Sequence, residues 1–349
     1  MTSIPLSRAT TLIPFVDFMA EIGAPVEATL ERCHLPPDLS PVSQGYIPTL
    51  KNWQFVSEMA RSQGVEDLGL RVAHKSIREV LTRELLRRVL VAPTLLDAVR
   101  RFAHLCRRES SGMRVWLSGR PDHSRVHLEK TFGTETPGFR QTEWLGLMAI
   151  VEIIRLYAGE SWQPDLISLR APGILPVLGS ELFPHAQILL GQTSTYLTLD
   201  THLLGLGPSD CASRLISRIG SDPEVPASTL QSTDLVGSLR QLLETYLQVG
   251  YPSLELASEI TGLRRRRTLQ RRLREVGLSY KTLIDNTRFE VASRLLVQSD
   301  LRAIDITYAT GYSDPSHFSR AFRRMAGCSP LQYRDHLSSP KKPLASRAR

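Results

Sequence analysis

Two stretches of this 349-residue chain, Thr268–Arg274 and His317–Arg324, repeat one pattern: apolar, any, Arg, any, apolar, Arg. Leu269 answers to Phe318, Arg271 to Arg320 and Leu273 to Phe322, each at an offset of 49 residues, and each copy runs into a Gly-x-Ser element, Gly277-Leu-Ser279 or Gly327-Cys-Ser329. At 3.6 residues per turn the apolar pair shares one face and the arginines point away from it. Such a helix docks on a small core and turns a cationic side outward. Its duplication implies two helix-turn-helix units and, with them, sequence-specific DNA binding.

Charge divides the chain the same way. Residues 230–349 hold 20 Lys and Arg against 11 Asp and Glu, whereas residues 1–229 hold 23 against 24, so the whole excess of the +8 chain lies at the C-terminus. A basic block beside a near-neutral one fits a polyanion binder joined to a domain with another partner. The length gives each its own core. Cys33, Cys106, Cys211 and Cys328 are scattered without CxxC spacing, which predicts reduced thiols and a cytoplasmic chain. No apolar run is long enough for a membrane span, and the first 20 residues lack the pattern of a signal peptide.

Residues 1–204 read as a mixed α+β domain. Helical periodicity marks Thr11–Ile22, Val26–Cys33, Leu50–Ser62, Val80–Val91, Leu95–Arg107 and Thr142–Tyr157, the last with Leu145, Ala149, Ile153 and Leu156 on one stripe. Strand-like segments are Met113–Leu117, Arg125–Lys130, Leu166–Leu169, Gln187–Leu190 and Thr195–Leu199, with a turn at Arg120–His123. Residues 205–229, rich in Gly, Pro, Ser and Asp, read as the inter-domain linker.

Residues 230–338 read as an all-α domain, followed by a basic tail, 339–349. Leu235–Gln248 is amphipathic, Pro252 opens a helix running to Gly262, and the first repeat helix continues to Val276. Ser279 caps a long helix ending near Gln298, roughly 28 Å at 1.5 Å per residue. Ala303–Thr310, the second repeat helix and a short helix from Pro330 complete the domain. On helical wheels Leu269, Leu273 and Val276 fall inward, as do Phe318, Phe322 and Met325. Arg267, Gln270, Arg271 and Arg274 then face outward on the first helix, and Ser316, His317, Arg320 and Arg324 on the second. The second helix of such a unit enters the major groove, where Arg suits guanine and Gln suits adenine. Arg324 is better placed for phosphate. Asp314 and Pro315 provide a cap and a first-turn residue for the second repeat helix. The first has four cations, Arg264–Arg267, and no capping side chain, so Arg264 and Arg265 are candidate phosphate contacts that order on DNA.

Residues 230–338 resemble the DNA-binding domain of the AraC/XylS family of bacterial transcription regulators, on Gly311-Tyr-Ser-Asp-Pro-Ser-His-Phe-Ser-Arg-Ala-Phe-Arg-Arg324, Gly327-Cys-Ser-Pro330 and Tyr333-Arg334. The resemblance implies two recognition helices in successive major-groove segments, spaced by the Thr282–Gln298 helix. It puts base readers at Arg267, Gln270 and Arg271, and at Ser316, His317 and Arg320. This chain departs from the family pattern in Gly262–Leu269, one residue longer and without the capping serine. It departs again at Thr307 and Thr310, where Ala and Leu are the family's residues and looser packing follows. Leu12–Ala24, Ser57–Ala73 and Phe183-Pro184 with Thr195–Leu199 resemble the arabinose-binding-type regulatory domain of one branch of the family. That likeness implies a small-molecule effector of unknown identity, dimerisation, and RNA polymerase as a partner in activation.

Catalytic chemistry finds little support, and the chain is read as a non-enzyme without metal or cofactor. His123 and His127 have ligand spacing, but on a turn and strand rather than a helix. Gly205-Leu-Gly-Pro lacks the strand and helix of a nucleotide loop, and no Gly-x-Ser-x-Gly elbow occurs. Two alternatives stay open. A ligand-independent architectural binder needs no base-reading side chains; an enzyme fused to this module, such as a repair alkyltransferase, calls for a cysteine cluster and a Pro-Cys-His nucleophile absent from the sequence.

Overall fold

A computed structural model describes residues 3–39, 45–119, 123–219, 234–247, 251–263 and 265–338. By internal contacts the chain divides into two units, Met1–Ser238 and Leu239–Arg349.

The first unit opens on β1 (Leu6–Arg8), which pairs antiparallel with β2 (Tyr46–Pro48) across α1 (Ile13–Glu21) and α2 (Val26–Arg32). With α3 (Thr49–Ser62) and α4 (Leu68–Val80), these helices bury Phe15, Met19, Leu30, Phe55, Met59 and Val72 in one core. α5 (Arg83–Leu90) and α6 (Leu95–Glu109) each start at a threonine. Thr82 Oγ1 accepts from the Leu85 N–H at 3.3 Å and Thr94 Oγ1 from that of Asp97 at 3.2 Å, satisfying amides the helix leaves free.

β3 (Met113–Gly119) and β4 (His123–Lys130) form an antiparallel hairpin in which Val115 stands opposite Leu128. After α7 (Phe139–Ala158) come β5 (Leu166–Ser168), α8 (Val177–Leu182), β6 (Gln187–Leu189) and β7 (Thr195–Asp200). The sheet order is β3-β4-β7-β5-β6, antiparallel except for the β5–β6 pair. Period-2 alternation turns Val115, Val126, Leu128, Ile167, Leu197 and Leu199 into the main core, with Arg114, Trp116, Arg125 and His127 on the other face. All five strands lie where the sequence places them, within two residues at either end. The candidate turn at 120–122 lies outside the described residues.

α7 departs from the single stripe read from the sequence, because it is buried on nearly every side. Gly69 of α4 permits its close approach: its N–H donates to Gln141 Oε1 at 2.8 Å, and a Cβ there would sit 2.0 Å from the Gln141 carbonyl oxygen. Inside α7, Glu143 is buried and fully engaged by the Arg170 N–H at 2.8 Å, the Ala171 N–H at 3.0 Å and the Thr195 hydroxyl.

The linker reading of 205–229 needs correction over its first half. The Leu206 carbonyl accepts from Leu95 N–H at 2.8 Å and the Ser209 N–H donates to Leu156 at 3.0 Å, which straps this stretch to the first unit. α9 (Asp210–Ile219) then buries Ala212 in the main core with Leu215, Ile216 and Ile219 packed beside it. Apolar residues at i, i+3 and i+4 outweigh the breakers around them. Residues 220–229 and the tail 339–349 lie outside the described residues.

Helices make up the second part of the chain: α10 (Leu235–Tyr246), α11 (Leu254–Ile260), α12 (Arg266–Glu275), α13 (Tyr280–Gln298), α14 (Ala303–Ala309), α15 (Pro315–Ala326) and α16 (Pro330–Ser338). Ser253 caps α11, accepting from Leu256 N–H at 3.1 Å, and Ser279 caps α13, accepting from Thr282 at 3.0 Å. Ala292, Leu296, Ile306, Phe318 and Phe322 form the core under α15, with Phe289, Tyr312 and Tyr333 around it. Thr307 and Thr310 are fully buried there, contrary to the looser packing read from them. Their hydroxyls donate to the Ala303 carbonyl at 2.8 Å and the Ile306 carbonyl at 2.7 Å, so burial leaves no polar group unmet.

Candidate DNA-binding surface

α11 with α12, and α14 with α15, are two helix pairs built to one plan. Each first helix ends at a threonine followed by a left-handed glycine, Thr261-Gly262 and Thr310-Gly311, both with φ of 73°. The second helices start after Arg265 and Asp314, again 49 residues apart. The turn before α12 is therefore as long as the turn before α15. By residue count, the residue by which Gly262–Leu269 exceeds the family pattern makes it equal in length to Gly311–Phe318.

The capping of the two second helices differs. Asp314 Oδ1 accepts the His317 N–H at 2.8 Å, and this bond with that of Ser316 holds the carboxyl below its usual pKa. Arg265, in the same extended cap conformation, gives no side-chain hydrogen bond to its helix. A cation also stands there at the positive end of a helix dipole. Arg266 finds a local partner in Glu255, at 2.5 Å. Arg264 lies outside the described residues.

Leu269 and Leu273, and Phe318 and Phe322, are buried as the wheels require. Val276 and Met325 are not: they are 57% and 36% exposed, because each sits where its helix runs out past the core. Arg265, Arg267, Arg271, Arg274, Ser316, His317, Arg320 and Arg324 are exposed, and Gln270 is half-buried. Arg271 has Glu275 at 3.8 Å and Arg324 has Asp285 at 3.9 Å, long pairs on exposed side chains that water screens strongly.

Sequence reasoning missed two cations. A concavity of about 480 Å³ between α13 and α15 is lined by Lys281, Asp285, Arg288, His317, Arg320 and Arg324, so Lys281 and Arg288 extend the basic surface onto α13. The Arg288 guanidinium lies between the rings of Tyr251 and Tyr312, 4.0 and 4.4 Å from their centroids, and donates to the Gly311 carbonyl at 3.0 Å and to the Tyr251 hydroxyl. Burial pushes the Tyr251 phenol up to about 12, so it stays a neutral donor and acceptor. Among the described residues no group of three or more His, Cys, Asp and Glu could hold a metal, and no helix is long and apolar enough to cross a membrane.

Comparison with known proteins agrees with this division. Residues 260–336 match a helix-turn-helix domain family, and residues 23–206, more than half of the chain, match the family described as the N-terminal arabinose-binding domain of AraC transcription regulator. The HTH-type transcriptional regulator VirS of Mycobacterium tuberculosis is 27% identical over 340 residues, covering 94% of this chain and 96% of that protein. The HTH-type transcriptional regulator VqsM of Pseudomonas aeruginosa is 35% identical over 103 residues, 29% of this chain and 31% of its own length. Among solved structures, the transcriptional regulator CdpR of Pseudomonas aeruginosa aligns over 89% of this chain and 96% of its own, with a TM-score of 0.37 and 18% identity. The chain belongs to the AraC/XylS family, as a DNA-binding transcription regulator with an arabinose-binding-type N-terminal domain.

Proposed function

We propose that α11–α12 and α14–α15 act as two helix-turn-helix units that place α12 and α15 in successive major-groove segments. The observation that carries this is the shared geometry of the two second helices: each buries an i, i+4 apolar pair and leaves arginine exposed at matching positions, Arg271 and Arg320. Arg267, Gln270, Arg271 and Arg274 meet one half-site, and Ser316, His317 and Arg320 the other. Arg264, Arg265 and Arg324 contact phosphate. The first unit receives a small-molecule effector and mediates homodimerisation, and RNA polymerase is a further partner of the chain. A cavity in that unit supports the effector role.

Footprinting of the full chain on DNA flanking its own gene, with and without metabolite extract, tests the reading. Two protected segments about one helical turn apart are expected, with occupancy that responds to extract. A fragment of residues 230–349 should bind the same DNA more weakly and without that response. Equal affinity of fragment and full chain would argue against dimerisation, and a response kept by the fragment would remove the regulatory role of the first unit.

A further inference from the structure

The inner side of the five-stranded sheet carries a cation. Strand parity puts Lys130 on the same face of β4 as Val126 and Leu128, so its half-buried side chain is turned toward the core. The hydrogen-bond partner of Nζ is the Met113 thioether sulfur at 3.8 Å, a weak acceptor. Glu143, whose negative charge reaches Lys130, already gives its carboxylate to two backbone amides and Thr195. Burial pushes the Lys130 ammonium down to about 8, which leaves it mostly protonated at neutral pH. A cation turned toward the core without an anion on it is costly, and the fold keeps one.

Lys130 lines a cavity of about 80 Å³ whose walls are chiefly apolar, with Phe15, Leu81, Leu85 and Phe102 among them. The other titratable groups on the wall are Cys106, whose thiol burial pushes up to about 12, and Glu109, which burial also raises. Arg8 stands 3.7 Å from Glu109, and one Glu109 oxygen has no hydrogen-bond partner. The cavity thus offers an anion one ammonium, the polar side chains of Ser7, Thr11, Asn52, Ser110 and Thr142, and an otherwise apolar wall. A second anionic group would meet Glu109. Its volume is about half of the roughly 150 Å³ that accepts benzene in an apolar cavity.

We propose that this cavity is the effector site and that it takes a short apolar monocarboxylate, with the carboxylate on Lys130 Nζ and the hydrocarbon end against Phe15, Leu85 and Phe102. The assignment rests on the reading of the first unit as the effector domain and names the chemistry that domain recognises.

The test uses the full chain, with sodium acetate and sodium propionate as probes and propionamide and propanol as uncharged counterparts, followed by calorimetric titration and thermal unfolding. Propionate is expected to raise Tm and to bind at least tenfold more tightly than propionamide. Lys130→Met keeps the side-chain volume and removes the charge, so it should unfold cooperatively and lose the tenfold preference. Acid and amide binding alike, a preference kept by Lys130→Met, or no binding of either acid at millimolar concentration would overturn the proposal. Gel shift on the footprinted DNA separates the two levels. Propionate bound with unchanged DNA affinity would establish the carboxylate site and remove its role as effector site. An uncharged or cationic compound that alters DNA affinity while both acids fail would preserve an effector domain and overturn the carboxylate assignment.

Discussion

The Tyr251 hydroxyl donates to the Thr310 carbonyl at 2.9 Å, joining the segment ahead of α11 to the turn between α14 and α15. Arg288 of α13 completes the junction from between the two tyrosines. Both helix pairs are thus referred to one guanidinium, and their relative angle does not depend on α13 alone. Gly311 belongs to the same arrangement, since a Cβ there would stand 2.8 Å from the Leu247 carbonyl oxygen and 2.9 Å from the Tyr251 hydroxyl.

Arg288→Met should therefore cost about 1–3 kcal/mol, from two partly desolvated cation–π contacts and their hydrogen bonds. The diagnostic effect is on DNA. Gel shifts against sites whose two half-sites are moved apart by one base pair should show less discrimination by the variant than by the parent. Unchanged spacing preference would limit Arg288 to stability.

Arg320→Ala should relax base preference in one half-site, by about 1–3 kcal/mol at the position it reads, and leave the other untouched. Arg271→Ala should do the converse. Binding selection from a randomised site distinguishes this from a role on phosphate, which would lower affinity for every sequence alike.

Arg265→Ser installs a cap where the backbone is already extended for one. Thermal unfolding should show a gain of about 1 kcal/mol in the second unit. The slope of log affinity against log salt should flatten by about 1, because the variant neutralises one phosphate fewer. An unchanged slope would place Arg265 away from the DNA backbone.

Asp314 gives a pH dependence of known sign. Its folded pKa is depressed by the amides it caps, so its contribution is fully present above the ordinary carboxylate value of about 3.9 and is lost as pH falls through the lower folded value. Asp314→Ala should unfold at lower temperature than the parent at pH 6, and the gap should close between pH 4 and pH 2. A gap independent of pH would show that the cap acts without its charge.

The sequence made most of the longer helices and the five alternating strands legible, because burial of one face imprints a period on them, but it did not mark α4 as a helix. β1 and β2 were not, since three residues are too few for a period of 2 to emerge. α9 was hidden by the glycines and prolines on either side of its apolar face. On the DNA-binding surface, Arg271 and Arg320 could be read from the repeat alone, whereas Lys281 and Arg288 come from a helix whose exposed side no repeat marks. Lys130 did carry a signal. It continues the inward parity of Ser124, Val126 and Leu128, and a charge at an inward strand position is the pattern that calls for a partner.

The difference between a capped α15 and an uncapped α12 bears on which promoters such a regulator can share. With the proposed contacts, a helix start fixed by its own aspartate would present His317 and Arg320 in one posture, so a wrong base beneath them would meet a reader that does not adapt. The start of α12 would draw its missing charge from the DNA itself and settle against more than one base sequence. Across a set of target promoters, the half-site under α15 should be the invariant one and the half-site under α12 the place where drift is tolerated, which lets one protein govern operators of unequal quality.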